Sequence, residues 1–376
     1  MWPYVICFIF SILFTYLAGN KKIVINKITI SSKLLSLIAI IIPCFFAAVR
    51  DSTIGTDVLV YSDRLFNTAL KYGSIIDYLN RVDVELLFGT VTFISSHFFN
   101  RVFYYFILQF LVIFPIYKFL FQENTKKYAW VGIMIYLFWL YPFSLNIMRQ
   151  SISISIMLYN YKNIKEKKLI RYLFLCLIAF GFHFTALLGL LFYPLNKITT
   201  IKKAKKSLQN EMRKPVRLMK KINKLLIVLT VLFVTVIGSQ IIEYFTSTSG
   251  LYTDQLLFKS SGNIEIMNAL IMVFMIGIAY IYKSSEDENV NYLLFLIIIG
   301  SILYQLKSSF SQMYRFSAYF TNFLIFLYPM ILNSQKNNRK RMMIIFFVLC
   351  ISCINFSYYI IIRQWHSVFP YVFFNS

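Results

Sequence analysis

Apolar runs long enough to cross a bilayer recur along almost the whole chain, and they limit what it can fold into. Residues 102–121 and 342–362 are examples, and neither run contains an acidic side chain. A helix crosses the hydrocarbon core of a membrane with about 20 apolar residues. Each run of this length therefore predicts a membrane-spanning helix.

The composition supports this reading over the whole length. Hydrophobic residues make up 59% of the 376 residues and charged residues 14%, whereas a soluble domain usually carries about 25% charge. The chain also lacks the series of about 10-residue alternating segments that a transmembrane barrel requires. We predict an all-α integral membrane protein, a single polytopic helical bundle over residues 1–376 with about 12 to 14 crossings.

The charges indicate topology. The net charge is +23, and the basic residues lie in short loops between the apolar runs, where Lys and Arg mark the cytoplasmic side of a membrane protein. This placement argues against nucleic-acid binding. Residues 197–224 hold eleven Lys or Arg against the single Glu211, which predicts a basic cytoplasmic loop.

An acidic segment follows the second predicted span. Residues 51–85 contain six of the chain's fifteen acidic side chains and only three basic ones. Because the basic loops mark the cytoplasmic side, we expect residues 51–85 to form an external acidic loop.

One apolar run, residues 169–195, is unusually long and carries Gly181 and His183 near its middle. Simple crossings throughout would place the basic segment 162–168 outside, against the charge rule. A break in this run, with one further short element between residues 50 and 127, would place residues 162–168 on the cytoplasmic side. We therefore expect a broken or re-entrant helix near His183, and such backbone at membrane depth lines a cavity.

Three arginines adjoin different spans, namely Arg50, Arg149 and Arg315. A buried Arg costs at least about 2.5 kcal/mol near the bilayer centre, so it usually has a partner or a function. Guanidinium groups bind phosphate oxygens in a two-pronged manner and stay charged. Together the three could bind a diphosphate, and the alternative is that each anchors a helix end at the interface.

Proton transfer from a sugar hydroxyl needs a base, and the candidates are Asp57, Glu85 and His183. Each carboxylate equally fits a salt bridge to one of the arginines, and His183 equally fits a packing role among Phe residues. The sequence leaves these roles open. The aromatic residues Tyr61, Tyr314 and Tyr319 suit sugar stacking as well as interfacial anchoring.

Nothing in the chain has the spacing of metal ligands, and we expect no metal and no cofactor.

Several of these residues fall in short motifs that resemble one family. The segment from Arg50 through Gly55 and Asp57 to Tyr61 resembles the R-x(3-4)-G-x-D-x(3)-Y signature of the EpsG family. In the same order follow Glu85 at the start of a span, an N-x-x-R-Q element at 146–150, an A-x-x-F-H-x-S-A element at 179–186 with Thr185 in place of Ser, an R-x-x-x-Y element at 315–319 and a closing P-Y at 370–371.

The resemblance implies a function. The family comprises membrane proteins of bacterial exopolysaccharide, capsule and O-antigen clusters, often assigned as Wzy-type polymerases. Such a polymerase joins undecaprenyl-diphosphate-linked oligosaccharide repeat units by glycosyl transfer on the outer face of the cytoplasmic membrane. Membrane lipids, a chain-length regulator and a flippase of the same pathway are then the expected partners.

The resemblance also implies roles for site residues. Arg50, Arg149 and Arg315 would hold the diphosphate, and Asp57, Glu85 or His183 would position or deprotonate the acceptor hydroxyl. The glycan itself would contact Tyr61, Gln150, Tyr314 and Tyr319.

Two other classes compete with a polymerase. A flippase or exporter of the lipid-linked unit would share the helices and the arginines, but transporters commonly show internal repeats, and none is visible here. A membrane acyltransferase would need a His or Ser with a partner near an early span, whereas the first 90 residues contain no His.

Overall fold

A computed structural model describes residues 1–20, 23–25, 28–122, 125–197, 265–284, 287–308 and 311–374. The described chain is helical apart from two short antiparallel strands, β1 (Ile23–Ile25) and β2 (Ile28–Ile30). The α-helices are α1 (Trp2–Asn20), α2 (Ser32–Ala48), α3 (Arg64–Ala69), α4 (Ile75–Arg81), α5 (Leu86–Phe98), α6 (Arg101–Leu120), α7 (Ala129–Asn146), α8 (Met148–Lys165), α9 (Leu169–Phe182), α10 (Ile266–Tyr282), α11 (Glu288–Gln305), α12 (Met313–Thr321), α13 (Leu324–Ser334) and α14 (Asn338–Phe356).

Shorter helical pieces join some of these helices. Turns of 3-10 helix lie at Lys126–Tyr128, Phe184–Leu191, Leu306–Ser308 and Trp365–Ser367, and π-helical segments lie at Val58–Asp63 and Ser357–Ile362. Side chains cap several helix starts, as expected for the unsatisfied N–H groups of a first turn. Ser31 accepts from the N–H of Leu34 and Asn100 from that of Phe103.

Membrane character is clear, while the predicted crossing count is not confirmed. Six stretches of the described chain are long and apolar enough to cross a membrane: Trp2–Asn20, Arg101–Leu120, Lys126–Asn146, Glu288–Gln305, Met313–Ser334 and Asn338–Ile362. Four further apolar helices, α2, α5, α9 and α10, are shorter than 18 residues. The stretch Met313–Ser334 is divided between α12 and α13.

The helix α8 lies at the centre of the fold and carries polar side chains. It packs against α6 and α9, and Ser151, Ser153 and Asn160 on it are fully buried. Ser153 donates to the carbonyl of Ala179 at 2.7 Å, on α9. Small hydroxyl residues allow close helix approach and hydrogen bonding within the bilayer. Helix α8 is therefore a core helix rather than a lipid-facing one.

The predicted break near His183 is confirmed. Helix α9 ends at Phe182, His183 is extended with φ −163° and ψ 129°, and a 3-10 turn begins at Phe184. The acidic segment 51–85 is more ordered than a loop, because it contains the Val58–Asp63 π-helix, α3 and α4. The predicted basic loop at 197–224 lies, from residue 198 onward, outside the described residues.

Residues near the C-terminal end pack against the segment that follows α2. The N–H of Asp51 donates to the carbonyl of Val372 at 3.0 Å, and the N–H of Phe374 donates to that of Val49 at 2.8 Å. Tyr371 also donates its hydroxyl proton to the carbonyl of Phe46. These contacts fix the start of the segment that carries Asp57.

Candidate functional site

The turn between α2 and the π-helix brings Asp57 to the end of α7. Gly55 has φ +98°, a conformation that side-chain-bearing residues rarely adopt, and a Cβ there would lie 2.7 Å from the carbonyl oxygen of Leu145. The N–H of Asp57 then donates to Oδ1 of Asn146 at 2.7 Å. Gly55 therefore allows the segment that carries Asp57 to pack against the N-x-x-R-Q element at 146–150.

Arg50 lies beneath this turn, with 1% of its surface exposed. Its guanidinium donates to the carbonyls of Ala47 at 2.6 Å and Leu145 at 3.1 Å, at the ends of α2 and α7. It also lies 4.5 Å from the centre of the Tyr105 ring. Carbonyls at helix C-termini are otherwise left without partners, so these contacts make Arg50 a residue that joins two helix ends.

Glu85 lies at the centre of the candidate site, immediately before α5. Its Oε2 is 2.8 Å from Nη1 of Arg149, and its Oε1 is 2.6 Å from Nδ1 of His183. Burial raises the pKa of Glu85, but the hydrogen bond from His183 and the charge of Arg149 outweigh burial and hold that pKa at about 2. Glu85 is therefore an ionised carboxylate that orients both neighbours.

The break after α9 places His183 against Glu85. The backbone leaves the helix and becomes extended at His183. The His183 ring therefore contacts Glu85 at the start of α5. The following residues are held by a hydrogen bond of 3.0 Å between the hydroxyls of Thr185 and Tyr319. Nδ1 of His183 bonds to Glu85, so the other ring nitrogen, Nε2, remains for other contacts. This is the usual arrangement of an imidazole that is oriented by a carboxylate.

Arg315 approaches the same cluster from α12. Gln150 donates to the Arg315 carbonyl at 2.9 Å, and Nε of Arg315 donates to the hydroxyl of Tyr314 at 3.1 Å. Burial raises the pKa of Asp57, while the positive charges of Arg315 and Arg149 act in the opposite direction. Asp57 therefore lies within electrostatic reach of both arginines.

A cavity of about 1120 Å³ opens beside this cluster. Glu85, Arg149 and His183 line it, together with the charged residues Arg64, Lys71, Arg81 and Asp83. Its lining also includes the exposed apolar side chains Leu86, Leu177, Phe180 and Phe184. Such a cavity accommodates an anionic group with an attached apolar chain.

Four of the ten predicted site residues, namely Tyr61, Glu85, Arg149 and His183, line the cavity. Tyr61 lines the cavity, and its ring centre is 5.9 Å from the Arg149 guanidinium. Gln150 and Tyr314 bond to Arg315, and Tyr319 bonds to Thr185, two residues after His183. Arg50 contacts the backbone carbonyls of Ala47 and Leu145. The predicted residues that do not line the cavity are Arg50, Asp57, Gln150, Tyr314, Arg315 and Tyr319.

Sequence reasoning overlooked other members of the site. His366 bonds through Nδ1 to Asn146 at 2.9 Å, and its only sequence signal is its proximity to the closing P-Y element. Arg101 forms a two-pronged salt bridge with Asp63 at 2.9 and 3.2 Å, and this bridge holds the π-helix against α6. No group of three His, Cys, Asp or Glu side chains in the described part of the chain is arranged to hold a metal ion.

These features define an integral membrane protein with a part-buried cluster of Glu85, Arg149 and His183 beside a cavity that both polar and apolar side chains line. The chain belongs to the EpsG family, which it matches over residues 33–373, and it is thus a membrane protein of polysaccharide biosynthesis. Comparison with curated proteins and with solved structures gives no match.

Proposed function

We propose that the protein is a polymerase that joins lipid-diphosphate-linked oligosaccharide repeat units by glycosyl transfer. The observation that carries this proposal is the Glu85, Arg149 and His183 cluster at the wall of a cavity whose lining also includes exposed apolar side chains. Family membership supports the same pathway. The reaction would take place on the outer face of the bacterial cytoplasmic membrane, the side we assign to the acidic segment 51–85.

The donor is the growing glycan on undecaprenyl diphosphate. Arg149 binds the diphosphate, and Arg64, Lys71 and Arg81 on the same cavity supply further positive charge. The polyprenyl chain leaves past the apolar side chains of Leu177 and Phe184, toward the lipid. Positioned cations are usually the largest catalytic contribution where a phosphate leaves.

The acceptor is a hydroxyl of the next repeat unit. Its oxygen attacks the anomeric carbon of the donor sugar, the bond from that carbon to the diphosphate oxygen breaks, and the electron pair leaves with the diphosphate. The hydroxyl proton passes to Nε2 of His183, while ionised Glu85 fixes the ring through Nδ1. Asp57 accepts a hydrogen bond from the acceptor sugar and positions it.

Partners follow from this reaction. A flippase of the same pathway must deliver the repeat units to the outer face, and a chain-length regulator would act on the growing product. Membrane lipids surround the apolar helices, and no nucleic acid is involved.

The test is deletion of the gene in its host, with complementation by the wild type and by Glu85→Gln or Arg149→Ala. Surface glycans and membrane lipids are then separated by size. A polymerase predicts that single repeat units still reach the surface, that the polymer ladder disappears, and that only the wild type restores it. Accumulation of unextended units on the cytoplasmic side, with nothing at the surface, would show a flippase instead.

A further inference from the structure

A second, smaller cavity lies beside Tyr314, the neighbour of Arg315 on α12. We call it the aromatic pocket. It is lined by Tyr314, Trp365 and His366, by further aromatic rings that include Trp139, and by the amides of Asn268, Asn322 and Asn355. Its volume is about 90 Å³, less than a tenth of that of the larger cavity. The aromatic pocket is therefore too small for an oligosaccharide.

The lining suits a neutral sugar. Among the described residues that line the pocket there is no Asp, Glu, Lys or Arg. Aromatic rings pack against the C–H faces of a sugar, and amide side chains both donate to and accept from its hydroxyls. A diphosphate finds no cation in this lining, so the donor group belongs in the larger cavity.

His366 supplies an unused hydrogen-bond donor. Asn146 Oδ1 accepts from the Asp57 N–H, so its Nδ2 donates to Nδ1 of His366. Burial, with the charges of Arg315 and Lys307, lowers the pKa of His366 to about 3, which keeps the ring neutral. The ring proton therefore lies on Nε2. That buried atom has no hydrogen-bond partner among the described residues, and leaving it unpaired costs stability unless a ligand binds there.

The backbone at this position is strained. Gln364, His366 and Ser367 all have positive φ, at 48°, 64° and 50°, a region that costs free energy for residues other than glycine. The turn is held by the Gly55 N–H, which donates to the Ser367 carbonyl at 3.1 Å. Strain of this kind persists where the surroundings fix a side chain for a purpose, and here it places Trp365 and His366 in the pocket wall.

Hydrogen bonds link the lining of the pocket to Asp57 and Arg315. Tyr314 accepts from Arg315, and His366 is joined through Asn146 to the backbone of Asp57. We propose that the aromatic pocket binds the terminal sugar of the acceptor repeat unit, with Nε2–H of His366 donating to one of its hydroxyl oxygens. This inference rests on the proposed polymerase function and assigns donor and acceptor to separate cavities.

The test uses the full-length protein in lipid nanodiscs. The donor is the lipid-linked repeat unit extracted from the deletion strain, and the acceptor probe is the oligosaccharide released from it by mild acid. Initial rates are measured with each substrate varied in turn. His366→Phe and the milder Asn355→Leu should raise KM for the acceptor about 3- to 10-fold, the effect of one lost hydrogen bond, while KM for the donor stays unchanged. Lys340→Gln is the control, because Lys340 is exposed near the start of α14 and lines neither cavity.

The outcomes separate the two proposals. If the wild type forms polymer and both variants keep its KM for the acceptor, the subsite is wrong and the polymerase stands. A rise in KM for the donor alone also overturns the subsite. If the wild type joins no units, the polymerase proposal fails, and the pocket is then judged by saturation-transfer NMR with the free oligosaccharide. Binding to the wild type that is weakened in His366→Phe supports the pocket, and equal binding refutes it.

Discussion

The backbone N–H of Asp57 donates to Oδ1 of Asn146 over 2.7 Å and joins two segments that lie 89 positions apart in the chain. The side chain of Asn146 also bonds to His366. One amide therefore holds the candidate acceptor-binding carboxylate, the end of α7 and the strained turn in a single arrangement. The positions of these three groups relative to Arg149 depend on the turn at Gly55.

Gly55→Ala should therefore reduce both stability and activity. The added Cβ would lie 2.7 Å from a backbone carbonyl oxygen, in a conformation with positive φ, and such a change destabilises by more than about 1 kcal/mol. The matched control is Gly73→Ala, since a Cβ at Gly73 meets nothing within 4 Å. Thermal unfolding in detergent and the glycan size ladder are measured for both. Equal behaviour of the two variants would contradict the docking role of the Gly55 turn.

Arg149→Lys should fold normally and lose most of its activity. The lysine keeps a positive charge for Glu85, but it lacks the two-pronged geometry that suits phosphate oxygens. Loss of one such interaction with the developing charge lowers the rate by about 100-fold. The rate of undecaprenyl diphosphate release measures the effect, with the exposed Arg171→Lys on α9 as the control. Polymer of wild-type length and rate from Arg149→Lys would exclude this role.

Glu85 predicts a pH dependence of stability. Its pKa is about 2 in the folded protein and 4.5 ordinarily, so the folded state is stabilised at pH values above 4.5. That stabilisation, about 3 kcal/mol from the size of the shift, is lost progressively as the pH falls from 4.5 to 2. The unfolding midpoint of the wild type should therefore drop across this range. The unfolding midpoint of Glu85→Gln should be lower than that of the wild type at neutral pH. It should also fall less than the wild-type midpoint between pH 4.5 and 2.

Arg50→Lys separates a structural role from the predicted diphosphate contact. A lysine cannot reach both the Ala47 and Leu145 carbonyls with the same geometry, and hydrogen bonds from a charged group contribute about 1.5 to 3 kcal/mol each. We expect a lower unfolding midpoint with an unchanged KM for the donor. A raised KM for the donor at full stability would instead restore Arg50 to the diphosphate site.

Much of the helical layout could be predicted, because the apolar runs and basic loops of a membrane protein follow directly from the bilayer as solvent. The break at His183 was visible as a polar residue within an overlong run. The central position of α8 could not be predicted, since its Ser-rich sequence does not show whether a neighbouring helix or lipid will cover it. The structure shows that its polar face is buried against α6 and α9.

The site itself could be predicted in part. The motifs supplied Glu85, Arg149 and His183, which do meet. Sequence alone does not reveal whether an arginine at a span end meets an anion or backbone carbonyls, and Arg50 meets carbonyls. His366 could not be found from periodicity, because it lies in a short strained turn after the last long helix.

The pairing of residues 372–374 with residues 49–51 has a consequence for synthesis. A chain emerges and inserts from its N-terminal end, so the turn that carries Asp57 enters the membrane long before Val372 and Phe374 are available to hold it. His366 likewise arrives after every other member of the cluster. A partly translated chain thus contains Asp57, Glu85, Arg149 and His183 before His366 and residues 372–374 are present to complete the acceptor site, so nascent or stalled chains should not consume the lipid-linked precursor pool.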